Sequence, residues 1–257
     1  MSKKRLKGLS LFASAGIGET YFKDAGIDIL VANELIKQRA DLYKSISPDT
    51  NVVCGDITKD EVFESIMNAA PTPLDFLLAS PPCQGMSVAG KNRCQKTMES
   101  DKRNYLITSV VKVIKLTNPD YVLIENVPAL LKLKLMYDSK YRTVLEILQY
   151  EFGNEYIIDN AVVDSADYGV PQTRLRAIIK MHKPGTVWSW PKKKKKVTVE
   201  QAIGNLPSLE AGEKSDIKWH FARKHTKENV LSLKAYIDQH VEEKVLTHID
   251  AVSDNFL

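Results

Sequence analysis

From Leu6 to about Arg176, short β-branched or apolar runs alternate with longer segments whose apolar residues recur at helical spacing. That alternation predicts an α/β fold, a mostly parallel twisted sheet with helices on both faces. Strands are expected at Leu9–Ala13, Ile29–Asn33, Asn51–Cys54, Leu74–Ala79, Tyr121–Glu125, Tyr156–Val163 and Arg176–Met181. Helices are expected at Lys37–Lys44, Lys59–Ala69, Tyr105–Thr117 and Tyr141–Phe152. After Met181 the pattern weakens. Trp188, Trp190 and Pro191 precede five lysines, Lys192–Lys196, and helix-like patches recur at Val199–Ile203 and Val230–His240. The chain thus reads as an α/β domain over residues 1–183 and an extension over residues 184–257 with too little apolar content for a second large core.

Polar or glycine-bearing segments follow directly on four of the expected strands: Ser14–Gly18, Gly55-Asp56, Ser80–Gly85 and Glu125-Asn126. In an open α/β sheet ligands sit at the carboxyl ends of the strands, so these segments should converge on one crevice.

Composition narrows the setting without naming the chemistry. At 257 residues, 44% hydrophobic and 26% charged, the chain is ordinary for a globular protein that needs no covalent staples. A net charge of +4 permits a polyanionic partner without requiring one. Cys54, Cys83 and Cys94 are odd in number and lack metal-ligand spacing, which argues against a disulfide framework or a zinc site and for a reducing, cytoplasmic setting. Leu9 to Ala15 imitates a signal peptide but is too short and is broken by Ser10. No run approaches the roughly 20 apolar residues that would span a bilayer, so no membrane partner is expected.

Phe12-Ala13-Ser14-Ala15-Gly16-Ile17-Gly18 stands between a strand and a helix, where small residues let backbone amides approach a ligand. Tight turns use the same residues for structural reasons alone. Glu34 ends the second strand and Asp56 follows the third. The first can accept both hydrogen bonds of a ribose diol and the second can accept from an adenine amino group, although carboxylates at strand ends are common. The set fits an adenosine-containing cofactor. Lacking a full GxGxxG, the turn favours one without a pyrophosphate.

Pro81-Pro82-Cys83-Gln84-Gly85 follows an apolar strand, and the two prolines hold the backbone extended before the thiol. A cysteine ionises near pH 8.5 and needs electropositive neighbours to become a good nucleophile. Arg174 and Arg176, in Gln172-Thr173-Arg174-Leu175-Arg176, alternate so as to face one way. They are candidates for that role or an ordinary solvated strand face. Glu125, at the edge of an apolar strand in Glu125-Asn126-Val127-Pro128, is a candidate proton donor.

Together and in this order, the glycine-bearing first turn, Pro-Cys-Gln, Glu-Asn-Val and Gln-x-Arg-x-Arg resemble the motif set of the cytosine-C5 DNA methyltransferase family over roughly Leu6 to Met181. The resemblance implies a Rossmann-like, S-adenosylmethionine-dependent methyltransferase acting on double-stranded DNA, with no metal. It implies that Cys83 adds to C6 of a flipped-out cytosine, that Glu125 binds or protonates N3, that Arg176 holds O2, and that Arg174 supports the site or a phosphate. It assigns Phe12, Ala15, Gly16, Ile17, Glu34, Asp56, Ile57, Pro82 and Leu106 to the cofactor. It makes residues 85–103 a loop closing over DNA, with Gln84, Ser87, Lys91 and Arg93 as nucleic-acid contacts. Lys192–Lys196 could reach phosphates, or be a solvated run.

Ser14 stands where the family usually has glycine, Leu35 where a residue stacks on adenine, Met86 where phenylalanine is frequent and Ala89 where serine is. The larger departure is in the 81 residues after Arg176, residues 177–257, which hold no Arg-x-x-Thr-x-x-Glu or Gly-Asn-Ser-Val equivalent. Ala202–Pro207 and His220–His225 resemble the stretch leading into a target-recognition region. The expectation is therefore the catalytic subunit of a heterodimeric modification methylase, in a restriction-modification setting, whose partner supplies recognition; a truncated chain is the competing reading. RNA (tRNA) cytosine-C5 methylation and a non-catalytic regulatory subunit binding S-adenosylmethionine or DNA are the rival functions.

Overall fold

A computed structural model of the chain describes residues 4–82 and 101–240. Contacts divide it into two units, Met1–Val163 with Leu175–Pro191, and Asp164–Arg174 with Lys192–Leu257. Among the described residues the strands are β1 (Leu6–Leu11), β2 (Ile27–Glu34), β3 (Asn51–Cys54), β4 (Phe76–Ala79), β5 (Tyr121–Asn126), β6 (Lys134–Tyr137), β7 (Lys140–Thr143), β8 (Ile157–Asp164) and β9 (Leu175–His182). Seven of them form one sheet in the order β3-β2-β1-β4-β5-β9-β8. β1 pairs in parallel with both β2 and β4, and the parallel pairing continues to β3 on one side and β5 on the other. β9 then runs antiparallel to β5. The sheet is mostly parallel and Rossmann-like, as the sequence pattern predicts.

The period of two along each strand builds a core on each face. On one face Leu77, Ala79, Val122 and Ile124 pack with Phe63, Ile66, Ile107, Val110 and Ile147. These come from helices α2 (Asp60–Ala69), α3 (Leu106–Thr117) and α4 (Val144–Phe152). On the other face Phe76 and Leu78 alternate with them and pack with Tyr43 of α1 (Lys37–Ile46). β4 is buried throughout, which explains its unbroken apolar run Phe-Leu-Leu-Ala. Ile107, Val110, Val111 and Ile114 form one helical stripe. α3 stops where Asn118 turns left-handed, with φ 44°, just before Pro119.

Several element ends shift by one to three residues, and two departures from the sequence reading have a clear physical cause. β1 ends at Leu11, not Ala13, because Phe12 enters the left-handed region at φ 59°. The helix expected from Tyr141 begins only at Val144, since residues 140–143 pair with β6 in an antiparallel hairpin and Thr143 caps α4 in a box with Glu146. The hairpin turn uses Asp138 and Ser139 at φ 48° and 58°, a pair with a much weaker signal than Asn-Gly.

The second unit holds a 3-10 turn at Ser165–Tyr168, a short helix α5 (Val199–Ile203) and α6 (Lys227–His240). Ala166 is its one buried apolar residue among those described, while Ile217, Trp219, Phe221 and Leu231 are exposed. No helix among the described residues is long and apolar enough to cross a membrane.

Leu77 is fully buried at the middle of β4. Leu77→Ala is expected to lower the unfolding free energy by about 3 kcal/mol through lost burial and a residual cavity. The effect is read as a lower urea midpoint at unchanged slope; an unchanged midpoint contradicts this placement.

Candidate functional site

The carboxyl ends of β1 to β4 open onto one cavity of about 370 Å³. Its walls are Phe12 and Ser14 after β1, Glu34 to Ile36 after β2, Gly55 to Ile57 after β3, Ser80 and Pro82 after β4, and Leu106 at the start of α3. Asn33, Arg39 and Arg103 complete the lining.

The wall after β1 is a tight turn held in unusual backbone conformations. Phe12 and Ser14 lie at φ 59° and 50°, and Gly16 at φ 78°. A β-carbon on Gly16 would also come within 3.0 Å of the Tyr43 ring, so glycine is required there on two counts. The turn is tied to β2, with Ala13 N–H donating to Asn33 O at 2.9 Å and Ser14 N–H donating to Glu34 Oε2 at 2.8 Å.

Glu34 is buried, 6% exposed, and its other oxygen accepts from Ile36 N–H at 2.9 Å. Two backbone donors on different segments therefore fix the carboxylate, and each oxygen keeps a lone pair for a further donor. Asn33 Nδ2 donates to Val53 O at 3.0 Å and Gly55 O at 3.1 Å, locking the ends of β2 and β3 together. Asp56 Oδ1 accepts from Thr58 N–H at 3.0 Å and Thr58 Oγ1 at 2.8 Å. The backbone donor above all holds the Asp56 carboxyl below the usual carboxylate range. Leu35 and Ile36 present open apolar surface at 62% and 43% exposure. The cavity thus offers two oriented carboxylates between apolar walls, an acceptor set that fits a ribose diol and a flat amino-bearing heterocycle.

The ends of β4 and β5 meet beside it. Asn126 is buried, and its Nδ2 donates to Pro81 O at 2.8 Å while its Oδ1 accepts from Val127 N–H at 2.8 Å. One residue earlier on β5, Glu125 Oε1 pairs with Arg176 Nε at 2.8 Å. The antiparallel register sets Glu125 opposite Ile178 and Asn126 opposite Ala177, so Arg176 lies on the next position of the neighbouring strand.

Of the residues expected at the cofactor, Phe12, Glu34, Asp56, Ile57, Pro82 and Leu106 line the cavity. Ala15, Gly16 and Ile17 do not; Ala15 is buried and Ile17 is 77% exposed, so the turn shapes the wall from behind. Glu125 and Arg176 are brought together. Arg174 precedes β9, belongs to the second unit, and donates its N–H to Asp164 Oδ1 at 2.8 Å. Cys83, Gln84, Met86, Ser87, Ala89, Lys91 and Arg93 lie outside the described residues. Within the lysine run, Lys193 and Lys196 pair with Asp167 at 2.6 and 3.3 Å, and Lys192, Lys194 and Lys195 form no such ion pair among the described residues.

Sequence reasoning missed Asn33, Ile36, Arg39 and Arg103 as lining residues and Asn126 as a clamp. Asn33 and Ile36 adjoin a strand end, which is a usable signal, whereas Arg39 within α1 and Arg103 within the 3-10 turn Lys102–Tyr105 carry none.

Residues 6–249 match the family model described as C-5 cytosine-specific DNA methylase. The chain is 55% identical over 233 residues to Type II methyltransferase M1.HgaI of Avibacterium volantium, covering 90% of this chain and 65% of that protein. It is 29% identical to Type II methyltransferase M.AquIA of a Picosynechococcus strain, covering 72% of this chain and 75% of that protein. It spans only 47% to 59% of three further Type II methyltransferases. Among solved structures, a DNA modification methyltransferase encoded within an E. coli prophage superposes with a TM-score of 0.62 at 25% identity, covering 86% of this chain and 62% of that one.

Ser14 carries a β-carbon at φ 50°, a conformation L-residues adopt only with strain. Ser14→Gly is expected to raise stability by up to about 1 kcal/mol, and Gly16→Ala to lower it, in thermal melts of the two variants. A lower melting temperature for Ser14→Gly contradicts the strained turn.

Proposed function

Because the chain belongs to the C-5 cytosine-specific DNA methylase family, we propose that it transfers a methyl group from S-adenosylmethionine to C5 of cytosine in double-stranded DNA. The observation that carries this reading is the Asn126–Pro81 hydrogen bond, which ties the residues immediately preceding Cys83 to the strand end bearing Glu125. The backbone shortly before Cys83 is thereby tied to the strand end that bears Glu125, which supports assigning nucleophile and acid to neighbouring segments.

In this reading Glu34 receives the ribose hydroxyls, Asp56 receives the adenine amino group, and Leu35, Ile36, Ile57 and Leu106 enclose the base. S-adenosylmethionine, when bound there, supplies an electrophilic methyl group.

The remaining chemistry belongs to this chain. Cys83 as thiolate adds to C6 of the cytosine, and the electron pair of the C5–C6 double bond moves toward C4 and N3. Glu125, kept in place by Arg176, supports N3 as negative charge develops and supplies its proton. C5, now nucleophilic, forms a bond to the methyl carbon as the methyl–sulfur bond breaks. A base then removes the C5 proton, N3 returns its proton to Glu125, the C5–C6 double bond re-forms, and the Cys83 thiolate leaves with its electron pair. Arg176, fixed by Glu125 and by donation from Nη1 to Leu175 O at 2.7 Å, is suited to hold the base O2. Residues 85–103, with Gln84, Ser87, Lys91 and Arg93, are assigned to the DNA, and Arg174 to a phosphate or to support of the site.

The chain spans 65% of M1.HgaI, and target recognition is the function for which the motifs of this sequence offer no candidate. We assign it to a second polypeptide, making this chain the catalytic subunit of a heterodimeric modification methylase. M.AquIA, matched over three quarters of its own length, supports that assignment as a family polypeptide of similar size.

Two experiments test the reading. With S-adenosylmethionine and the polypeptide of the adjacent reading frame present, duplex DNA carrying 5-fluorocytosine cannot lose a C5 proton, so it should remain covalently joined to the chain in denaturing gels, and Cys83→Ser should abolish the adduct. An adduct that survives in Cys83→Ser moves the nucleophile elsewhere. Mixing the chain with a polypeptide from the adjacent reading frame should switch on site-specific methyl transfer, whereas full site-specific activity of the chain alone overturns the heterodimer.

A further inference from the structure

Beneath the cofactor turn lies a buried acid that the proposed chemistry does not use. Glu19, only 9% exposed, closes the 3-10 turn Ile17–Glu19 that follows Gly16. Its side chain folds back under the turn, and its Oε1 accepts from the Ser10 hydroxyl on β1. Its Oε2 lies 3.3 Å from where a Gly16 β-carbon would stand, on the side where the Tyr43 ring also closes off that space.

Ser10 is fully buried and Tyr43 nearly so. The alternation of β1 turns Ser10 away from Leu9 and Leu11, onto the sheet face that Tyr43 of α1 covers. A polar serine there would be a defect without a partner, and Glu19 is that partner. Glu19 in turn belongs to the chain segment whose backbone bonds build the turn, with Glu19 N–H donating to Gly16 O at 3.2 Å and Gly16 N–H to Ala13 O at 2.9 Å. One side chain therefore joins the strand before the turn, the turn itself and the helix behind it.

Two physical facts give the carboxyl its state. Oε2 is buried with no well-formed hydrogen bond among the described residues, the Tyr43 hydroxyl acting on the carboxyl more loosely. Burial pushes the Glu19 carboxyl up from the usual carboxylate range, against the opposing hydrogen bonds from Ser10 and Tyr43. An unsatisfied buried oxygen is tolerable on a neutral acid and costly on an anion. The only titratable group facing it among the described residues is Tyr43, itself held neutral by burial. What the geometry requires at position 19 is thus a side chain of glutamate's length that accepts from Ser10.

We propose that Glu19 is a positioning residue for the methyl donor, acting through the turn it braces to hold Phe12 and Ser14 in the conformation that forms the cavity wall. It touches neither donor nor DNA. Phe12 and Ser14 sit in left-handed conformations that relax unless the surrounding structure over-determines them, and the Ser10–Glu19–Tyr43 cluster supplies that determination. Removing the brace loosens the wall and weakens donor binding, as loss of supporting partners behind a binding group does elsewhere. The inference rests on the cavity being the S-adenosylmethionine site.

Calorimetric titration of the full-length chain with S-adenosylmethionine, below the melting temperature of each variant, tests it. Glu19→Leu and Ser10→Ala are expected to raise Kd by about tenfold or more, while Glu19→Gln, a neutral acceptor of equal length, stays within about threefold of the unsubstituted chain. In methyl-transfer assays the loss should fall on KM for S-adenosylmethionine, with kcat little changed. Amide hydrogen exchange at Phe12 to Gly16 should rise in Glu19→Leu and return in Glu19→Gln. Unsubstituted binding with equal Kd in Glu19→Leu overturns the positioning role and leaves the cofactor site standing. No binding by the unsubstituted chain overturns the cofactor site and the positioning role with it. A Glu19→Gln variant as weak as Glu19→Leu overturns the brace as an acceptor of glutamate's length for Ser10.

Discussion

Everything at the site depends on β1 having parallel neighbours on both sides. A strand paired in parallel with β2 and β4 delivers Leu11, Glu34 and Ala79 to one edge of the sheet, and the same register extended outward adds Cys54 and Asn126. Parallel strands need long crossovers, so each strand end is followed by a segment that must turn back over the edge. Those segments become the cavity wall because there is nowhere else for them to go. The proposed chemistry draws on that geometry: carboxylate acceptors come from β2 and from the segment after β3, and the Glu125–Arg176 pair from β5 and β9.

Backbone direction alone would leave these segments free to shift, and buried side-chain amides and carboxylates remove that freedom. Asn33 clips β2 to β3, Glu34 clips β2 to the first turn, and Asn126 clips β5 to the Pro81-Pro82 segment. Each is a polar group taken out of water, tolerated because its hydrogen bonds are made. Their common effect is preorganisation: the acceptors and the Glu125–Arg176 pair are already in place before a ligand arrives, which is where polar groups contribute most to a binding or reacting site.

Much of this was legible in the sequence. The strand pattern placed the sheet, and strand-end chemistry singled out Glu34, Asp56, Glu125 and Arg176, all of which stand at the carboxyl edge or beside it. What escaped was set by tertiary pairing. Tyr141 to Thr143 read as the start of a helix and instead lie in a strand because β6 pairs with them. Phe12 reads as strand and ends one, since its positive φ is imposed by the turn. Arg39 and Arg103 lack any local mark of a site, and only the folding of their segments over the sheet edge brings them to the cavity. Asn126 was visible as part of a motif, yet its role as a clamp depends on a carbonyl 45 positions away.

The chemistry proposed for this edge makes one claim about one atom, that the methyl group arrives on C5 of cytosine. Incubating duplex DNA and methyl-labelled S-adenosylmethionine with the chain and its recognition polypeptide, then digesting to nucleosides for mass spectrometry, reads that atom directly. The expected result is label confined to 5-methyldeoxycytidine. Label on an exocyclic amino group of cytosine or adenine, or transfer to tRNA and not to DNA, would contradict the account.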